Sequence, residues 1–213
     1  MSTENAAVLS FIGGRPFLPP EAEIPACAVC SAHMCFFFQI AFPVGHAWEG
    51  SLLGMFHCVS CSSESTLVPA MLSGPLRSAE IPQGFLTAYQ TNFRIVVADV
   101  TSTKVRTDYA PLIEHTRISL ASWRVGRRPK WLLEDETPGS YESHNEPTFL
   151  FQVPQGMTFP TRPGAPLQKT IDLEGQVVDD DRPYYELFLG NAIYAFGFGT
   201  PSAERVYVVT QVD

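Results

Sequence analysis

The stretch Ile12-Gly-Gly-Arg-Pro-Phe-Leu-Pro-Pro-Glu-Ala-Glu-Ile-Pro25 recurs as Val125-Gly-Arg-Arg-Pro-Lys-Trp-Leu-Leu-Glu-Asp-Glu-Thr-Pro138. The offset is 113 residues, and without a gap it also places Phe36-Phe37-Phe38-Gln39-Ile40 on Phe149-Leu150-Phe151-Gln152-Val153. Gly13, Arg15, Pro16, Glu21, Glu23, Pro25, Phe36, Phe38 and Gln39 are identical to their partners. Flat residue usage would give about two such identities by chance. The shared pattern is a Gly-Pro turn, an acidic loop closed by Pro, and a buried strand carrying one Gln. Each copy runs on into a further strand, Leu52–His57 in the first and Ala192–Phe198 in the second. Two such halves packed together bury sheet faces that neither covers alone.

The predicted fold is therefore mainly β, of the α+β type, with two pseudo-repeated antiparallel halves packed together. Residues 1–10 are read as a flexible N-terminus and 11–213 as one domain, divided into halves 11–122 and 123–213. Prolines (18) and glycines (15) are scattered, which predicts many short elements and turns. Strands are predicted at Phe36–Phe42, Leu52–His57, Phe93–Val100, Thr148–Val153, Tyr184–Leu189, Ala192–Phe198 and Arg205–Val212. Gly190-Asn191 between two of these reads as a hairpin turn. Short helical turns are predicted at Leu86–Asn92 and Tyr109–Thr116.

Four of the five cysteines form two Cys-x-x-Cys pairs, Cys27-Ala-Val-Cys30 and Cys58-Val-Ser-Cys61. A tight turn of this kind aims two sulfurs at one ion, and zinc favours four thiolates in a tetrahedron. The spacing predicts a structural Zn2+ site on Cys27, Cys30, Cys58 and Cys61. Reduced core thiols and a redox pair are the competing readings. His33 and His57 stand near enough to replace a cysteine. Cys35 falls inside a strand and reads as packing. In the repeat alignment Cys27 falls on Ser140 and Cys30 on Ser143, so the zinc loop belongs to the first half. A structural zinc site contributes roughly 10–16 kcal/mol of apparent binding energy, against about 5–15 kcal/mol for a whole domain.

The net charge of −8 argues against general nucleic-acid binding, which needs surplus Lys and Arg. It suits a basic protein partner. No stretch approaches the ~18 apolar residues of a membrane span. Met1–Ser10 lacks a basic n-region and carries Glu4, which argues against a secretory signal and for a cytoplasmic protein.

Catalytic signatures are missing: no nucleophile elbow, phosphate loop, His-Glu-x-x-His or dinucleotide fingerprint is present. Gly197-Phe-Gly199 reads as a bend, and His46, His115 and His144 stand apart. Glu21 with Glu23, and Glu134 with Glu136, recur in both copies and read as scaffold loops. Arg124, Arg127, Arg128 and Lys130 form a basic stripe that reads as a solvated turn. Asp179, Asp180 and Asp181 read as a loop tip. Those three aspartates, with Trp48, Trp123 and Trp131, are the candidate partner-binding residues; the tryptophans also read as caps on the two sheets.

The order Gly13-Gly14-Arg15-Pro16, Pro25-Ala-Cys27-Ala-Val-Cys30, Phe36–Gln39 and Phe56-His-Cys58 resembles programmed cell death protein 2. The duplicated Gly-Gly-x-Pro…Pro…Gln pattern, with Tyr185-Glu-Leu-Phe-Leu-Gly-Asn-Ala-Ile-Tyr194, resembles the bacterial YwqG-like family. The resemblance covers residues 11–61 and 124–196 and departs at Arg127, where a second Gly is usual. It implies duplicated β-rich halves and protein binding, as a chaperone of a ribosomal protein or beside secreted toxins. The expected function is thus a non-catalytic, zinc-stabilised protein-binding protein, most concretely an immunity protein against a cognate toxin. A chaperone-like carrier of a basic client is the alternative within that class. A hydrolase or redox enzyme with a site between the halves is the alternative outside it.

Overall fold

A computed structural model of the chain describes residues 2–72, 77–142 and 146–213. Ser143, the repeat partner of Cys30, and His144 lie outside the described residues. The fold is mainly β. A five-stranded antiparallel sheet has the order Phe93–Asp99, Ser51–His57, Cys35–Ala41, Phe11–Ile12, Thr116–Arg117. A three-stranded antiparallel sheet has the order Thr148–Val153, Ala192–Gly197, Val206–Gln211. Two-stranded ladders join Thr158–Pro160 to Tyr184–Glu186, and Gln168–Ile171 to Val177–Asp180. Others join Phe17–Leu18 to Lys104–Val105, and Glu80–Ile81 to Ser140–Tyr141.

The central strand reads Cys-Phe-Phe-Phe-Gln-Ile-Ala, and every residue of it is buried. A run of aromatic and β-branched residues suits a strand covered on both faces. One face, with Phe37, Phe38 and Ile40, joins the large core shared with the second sheet. The other carries Phe36, which packs with Phe11, Met34, Phe56 and Tyr109. Consecutive Phe37 and Phe38 reach the same core because the ladder shifts register between Phe36 and Phe38. The ladder of Thr148–Val153 shifts between Phe149 and Phe151, and there Leu150 and Phe151 enter the core together.

Gln39 in the five-stranded sheet and Gln152 in the three-stranded sheet are buried and satisfied, as is Gln211. Gln39 Oε1 accepts the Phe17 N–H at 3.0 Å, and its Nε2 donates to Leu9 O at 2.8 Å. Gln152 Oε1 accepts the Lys130 N–H and its Nε2 donates to Lys130 O, both at 2.9 Å. A buried amide left unpaired would cost about 1–3 kcal/mol, so these bonds fix where the preceding loops lie.

Several expectations change. Tyr184–Glu186 pairs with Thr158–Pro160 and not with Ala192–Gly197; Phe188–Gly190 is a 3-10 turn with Leu189 at φ 59°. The backbone bonding of Ala192–Gly197 is taken by its two sheet neighbours. Tyr109–Thr116 is extended rather than helical, with Ile113 bridged to Thr161. The other predicted helix, Leu86–Asn92, shortens to Phe85–Ala88. The N-terminus forms a helix, Thr3–Val8, capped by the Ser2 side chain. Ser10 then ties it to the central strand: its Oγ donates to Ala6 O and accepts the Ala41 N–H.

Trp48 and Trp123 are core residues, 1% and 4% exposed, and offer nothing to a partner. Trp123 stands 4.7 Å edge-on from Phe38 and 6.4 Å from Phe151, between the two sheets. Trp48 Nε1 donates to Gly199 O at 3.2 Å, and its ring fills the space left by the missing side chain of Gly197. Gly197 is therefore a close-approach position at a strand end, and the bend falls two residues on at Gly199, φ 61°. Gly197→Ala should collide with Trp48 Cζ2 and lower stability by roughly 1–3 kcal/mol; a denaturant midpoint equal to the parent's would refute this packing.

Half-buried His46 crosses the same junction. Its Nδ1 accepts the Trp48 N–H at 3.0 Å, its Nε2 donates to Phe149 O at 3.4 Å, and its ring stacks on Phe42 at 4.6 Å. Burial lowers its pKa below the ordinary 6.5, against a smaller opposing effect of the Phe149 carbonyl. The unfolded chain then takes up a proton before the folded one as pH falls. Stability should be full above the unfolded value and decline below it until the folded group also titrates. His46→Gln should flatten that part of the stability–pH curve, measured by urea unfolding across the series.

Candidate metal centre

Antiparallel pairing builds this site. Cys35 opposes His57, so the entry to one strand and the exit from its partner lie side by side. Cys27–Cys30 precedes the first and Cys58–Cys61 follows the second. The Cys27 turn is closed by Cys27 N–H to Ala32 O and Ser31 N–H to Cys27 O, both 2.9 Å, with Ser31 at φ 62°. The second is anchored by Cys58 N–H to Asn92 O at 2.7 Å. Each turn also points one amide at its first sulfur: Val29 N–H to Cys27 Sγ and Ser60 N–H to Cys58 Sγ, both 3.4 Å. Amides of this kind stabilise a thiolate and orient it.

Cys27 and Cys61 sulfurs are 3.7 Å apart, Cys30 and Cys58 3.6 Å, and Cys58 and Cys61 3.5 Å. All four lie within 4.8 Å of one another. Zinc–sulfur bonds of about 2.3 Å at tetrahedral angles require sulfurs about 3.8 Å apart. The cysteines are free thiols, not disulfides. The donor set and its dimensions are compatible with a metal such as zinc. Cys27, Cys30, Cys58 and Cys61 would hold it, and its charge would stabilise four adjacent thiolates.

Electrostatics point the same way. Burial opposes ionisation of Cys30, but hydrogen bonds from the Ala32 backbone and the other three thiols outweigh it, and its pKa falls. Burial pushes Cys58 up to about 11 and Cys61 further still, the neighbouring sulfurs adding to the rise at Cys61. One thiolate is thus sustained by its neighbours' S–H groups. Further ionisation crowds like charges together, and a divalent cation removes that cost.

Neither histidine joins the cluster. His33 is exposed. His57 is buried on the opposite face of the sheet, edge-on to Phe37 at 5.8 Å and Phe188 at 5.3 Å. Its Nε2 accepts from Asn92 Nδ2 at 3.2 Å, while its Nδ1 has no partner. It borders a polar cavity of about 30 Å3 with Lys169, Asp180, Arg182 and Glu186. Cys35 is wholly buried, which drives its thiol pKa far up and suits packing.

The second knuckle also touches the second half: Lys169 N–H donates to Val59 O at 2.9 Å. The thiol loop is therefore not local to residues 11–122. Lys169 opens onto the hairpin Gln168–Ile171 and Val177–Asp180, which the sequence reading missed. The available signal was Glu174-Gly175 between alternating residues. Asp172 donates its N–H to Gln176 O at 3.0 Å and accepts the Gln176 N–H at Oδ1 at 2.7 Å, and Gly175 takes φ 78°. Leu173 stands fully exposed at the tip.

The aspartate triplet is not a loop tip. Asp179 pairs with Lys169 at 2.6 Å, and Asp180 pairs with Arg182, leaving Asp181 exposed. Trp131 is half-buried and stacked on Tyr194 at 4.2 Å. In the basic stripe, Arg124 Nε donates to Arg128 O, and the nearby Asp135 pairs with Arg77.

Among the described residues, no helix is long and apolar enough to cross a membrane. Compared with family models, curated proteins and solved structures, the chain matches none. Protein purified without chelator should carry one zinc per chain by elemental analysis. Cys58→Ser should lose most of it and unfold earlier on heating; a metal-free parent would sink the zinc assignment.

Proposed function

We propose that the chain is a non-catalytic β protein, stapled by a four-thiolate zinc centre, that binds a basic protein partner. Its most concrete form is an immunity protein that neutralises a basic toxin. The observation that carries the staple is the sulfur geometry, 3.5 to 3.7 Å along three edges. Four thiolates fill the zinc coordination sphere and leave no position for substrate or activated water. The cavity beside His57 has room for one or two waters and no more. That argues against chemistry at this cavity.

The two halves are taken as copies of one unit. Support comes from irregularities that coincide at the 113-residue offset. The register shifts fall at Phe36/Phe38 and Phe149/Phe151. Gln39 accepts from Phe17, and Gln152 accepts from Lys130. In each half the Gln strand pairs with a second long strand, which pairs with a third. Unrelated sheets have no reason to place a bulge and a buried amide in one register.

For partner binding, the support is the hairpin arm. Leu173 is flanked by Asp172 and Glu174, and Leu167 and Val177 are also exposed. An apolar tip with acidic flanks suits an apolar pocket rimmed by Lys or Arg. Affinity capture from the native host should retain one stoichiometric basic protein, released by salt. Leu173→Asp should weaken retention about tenfold or more, roughly 1.4 kcal/mol or above. Recovery of no such partner, together with turnover of a small substrate, would reverse the reading.

A further inference from the structure

The chain carries 22 acidic residues against 14 Lys and Arg. Many of its cations are neutralised: Arg77 by Asp135, Arg106 by Asp108, Lys169 by Asp179, Arg182 by Asp180 and Glu186, Arg205 by Glu142. Arg15, Arg117 and Arg162 form no ion pair among the described residues. These three meet at one place. With His115 they line a surface pocket of about 450 Å3 that no carboxylate lines.

The edge of the five-stranded sheet assembles it. Thr116–Arg117 pairs with Phe11–Ile12, which sets Arg117 opposite Phe11. His115 lies two residues earlier on an extended segment, hence on the same side as Arg117. Its ring stands edge-on to Phe11 at 4.8 Å. The Gly13-Gly14 turn, with φ 60° and 69°, passes directly over this segment. A Cβ on Gly14 would lie 2.9 Å from His115 Nδ1, so the missing side chain lets Arg15 arrive at the pocket. Arg15 Nε donates to Tyr109 O at 3.3 Å, which tethers the guanidinium, and its terminal nitrogens have no hydrogen-bond partner among the described residues. Arg162 is delivered by the bridge of Thr161 to Ile113 and by its own N–H to Leu112 O at 2.8 Å.

Three converging guanidiniums repel one another when no anion lies between them. Their planar forks match phosphate oxygens, often two at a time. The rest of the wall is apolar, with Phe17, Val105 and Val8 at least partly exposed. The volume suits a small ligand rather than a protein segment. We propose that this pocket binds a small soluble phosphomonoester carrying an apolar or aromatic group. The phosphate sits among Arg15, Arg117 and Arg162, and the apolar group lies on Phe17 and Val105. The site is independent of the cysteine centre and of the hairpin arm.

The probes are phenyl phosphate, inorganic phosphate and phenol, read by calorimetry and by thermal unfolding of the full chain. Phenyl phosphate should bind and raise the melting temperature, inorganic phosphate should bind more weakly, and phenol should not bind. The R117A/R162A double variant changes only exposed side chains. It should lose at least tenfold in phenyl phosphate affinity while keeping its zinc content and its ligand-free melting temperature. No binding of phenyl phosphate at millimolar concentration, or equal binding by the double variant, overturns the proposal. So does cosedimentation with phosphatidate vesicles in the absence of phenyl phosphate binding, which assigns the cluster to a lipid surface instead.

Discussion

The burial of Cys35–Ala41 on both faces is the constraint from which the rest of the architecture follows. A strand of three consecutive phenylalanines cannot leave either face in water. One face is covered by Phe151 of the second sheet together with Phe159 and Trp123, which pack against Phe37 and Phe38. The opposite face is covered in part by the short ladder that holds Phe17 and Leu18. Short segments cover the rest: Ile24, Met34, Tyr109 and the two cysteine turns around Phe36. Tyr109 accepts the Phe36 N–H at 2.8 Å and so pins one of these segments to the strand. Cys27 and Cys58 belong to the same apolar cluster. A metal held by them would reinforce a cover made of short loops, over which about 25 cal/mol per Å2 accumulates slowly.

This places the candidate metal centre beside the packing of the central strand. The second turn accepts a hydrogen bond from Lys169, so the thiols also steady the exposed hairpin that begins there. A centre that clamps both the cover of the central strand and the root of an arm couples core integrity to the presentation of a surface. The second half has Ser140 where the first has Cys27, and there Ser140–Tyr141 pairs with Glu80–Ile81 in a parallel ladder.

The long strands were legible because their apolar runs are short, continuous and bounded by Gly, Pro or Asp. Thr148–Val153 matches its expected limits, and the others shift by a residue or two. Tyr184–Leu189 failed as a hairpin partner because composition reports strand propensity and not which neighbour is free. The backbone bonding of Ala192–Gly197 is taken up by Thr148–Val153 and Val206–Gln211. Trp48 and Trp123 sit in loops by sequence, yet those loops fold inward over the junction of the halves. Arg15, Arg117 and Arg162 are separated by as many as 147 residues. No spacing rule joins them, and only the pairing of Phe11 with Arg117 and the bridge at Thr161 do.

By itself the sequence determined the mainly β character, the four cysteines able to share one ion, and the internal correspondence at 113 residues. Each rests on local chemistry: side-chain periodicity, the reach of a Cys-x-x-Cys turn, and residue identity at fixed spacing. Tertiary structure alone decided which strands pair, which tryptophans are buried, that His57 faces away from the sulfurs, and where unpaired arginines converge. Those outcomes depend on contacts between residues far apart in the chain. Such contacts arise when two buried faces must be covered at once, and no window of sequence contains that requirement.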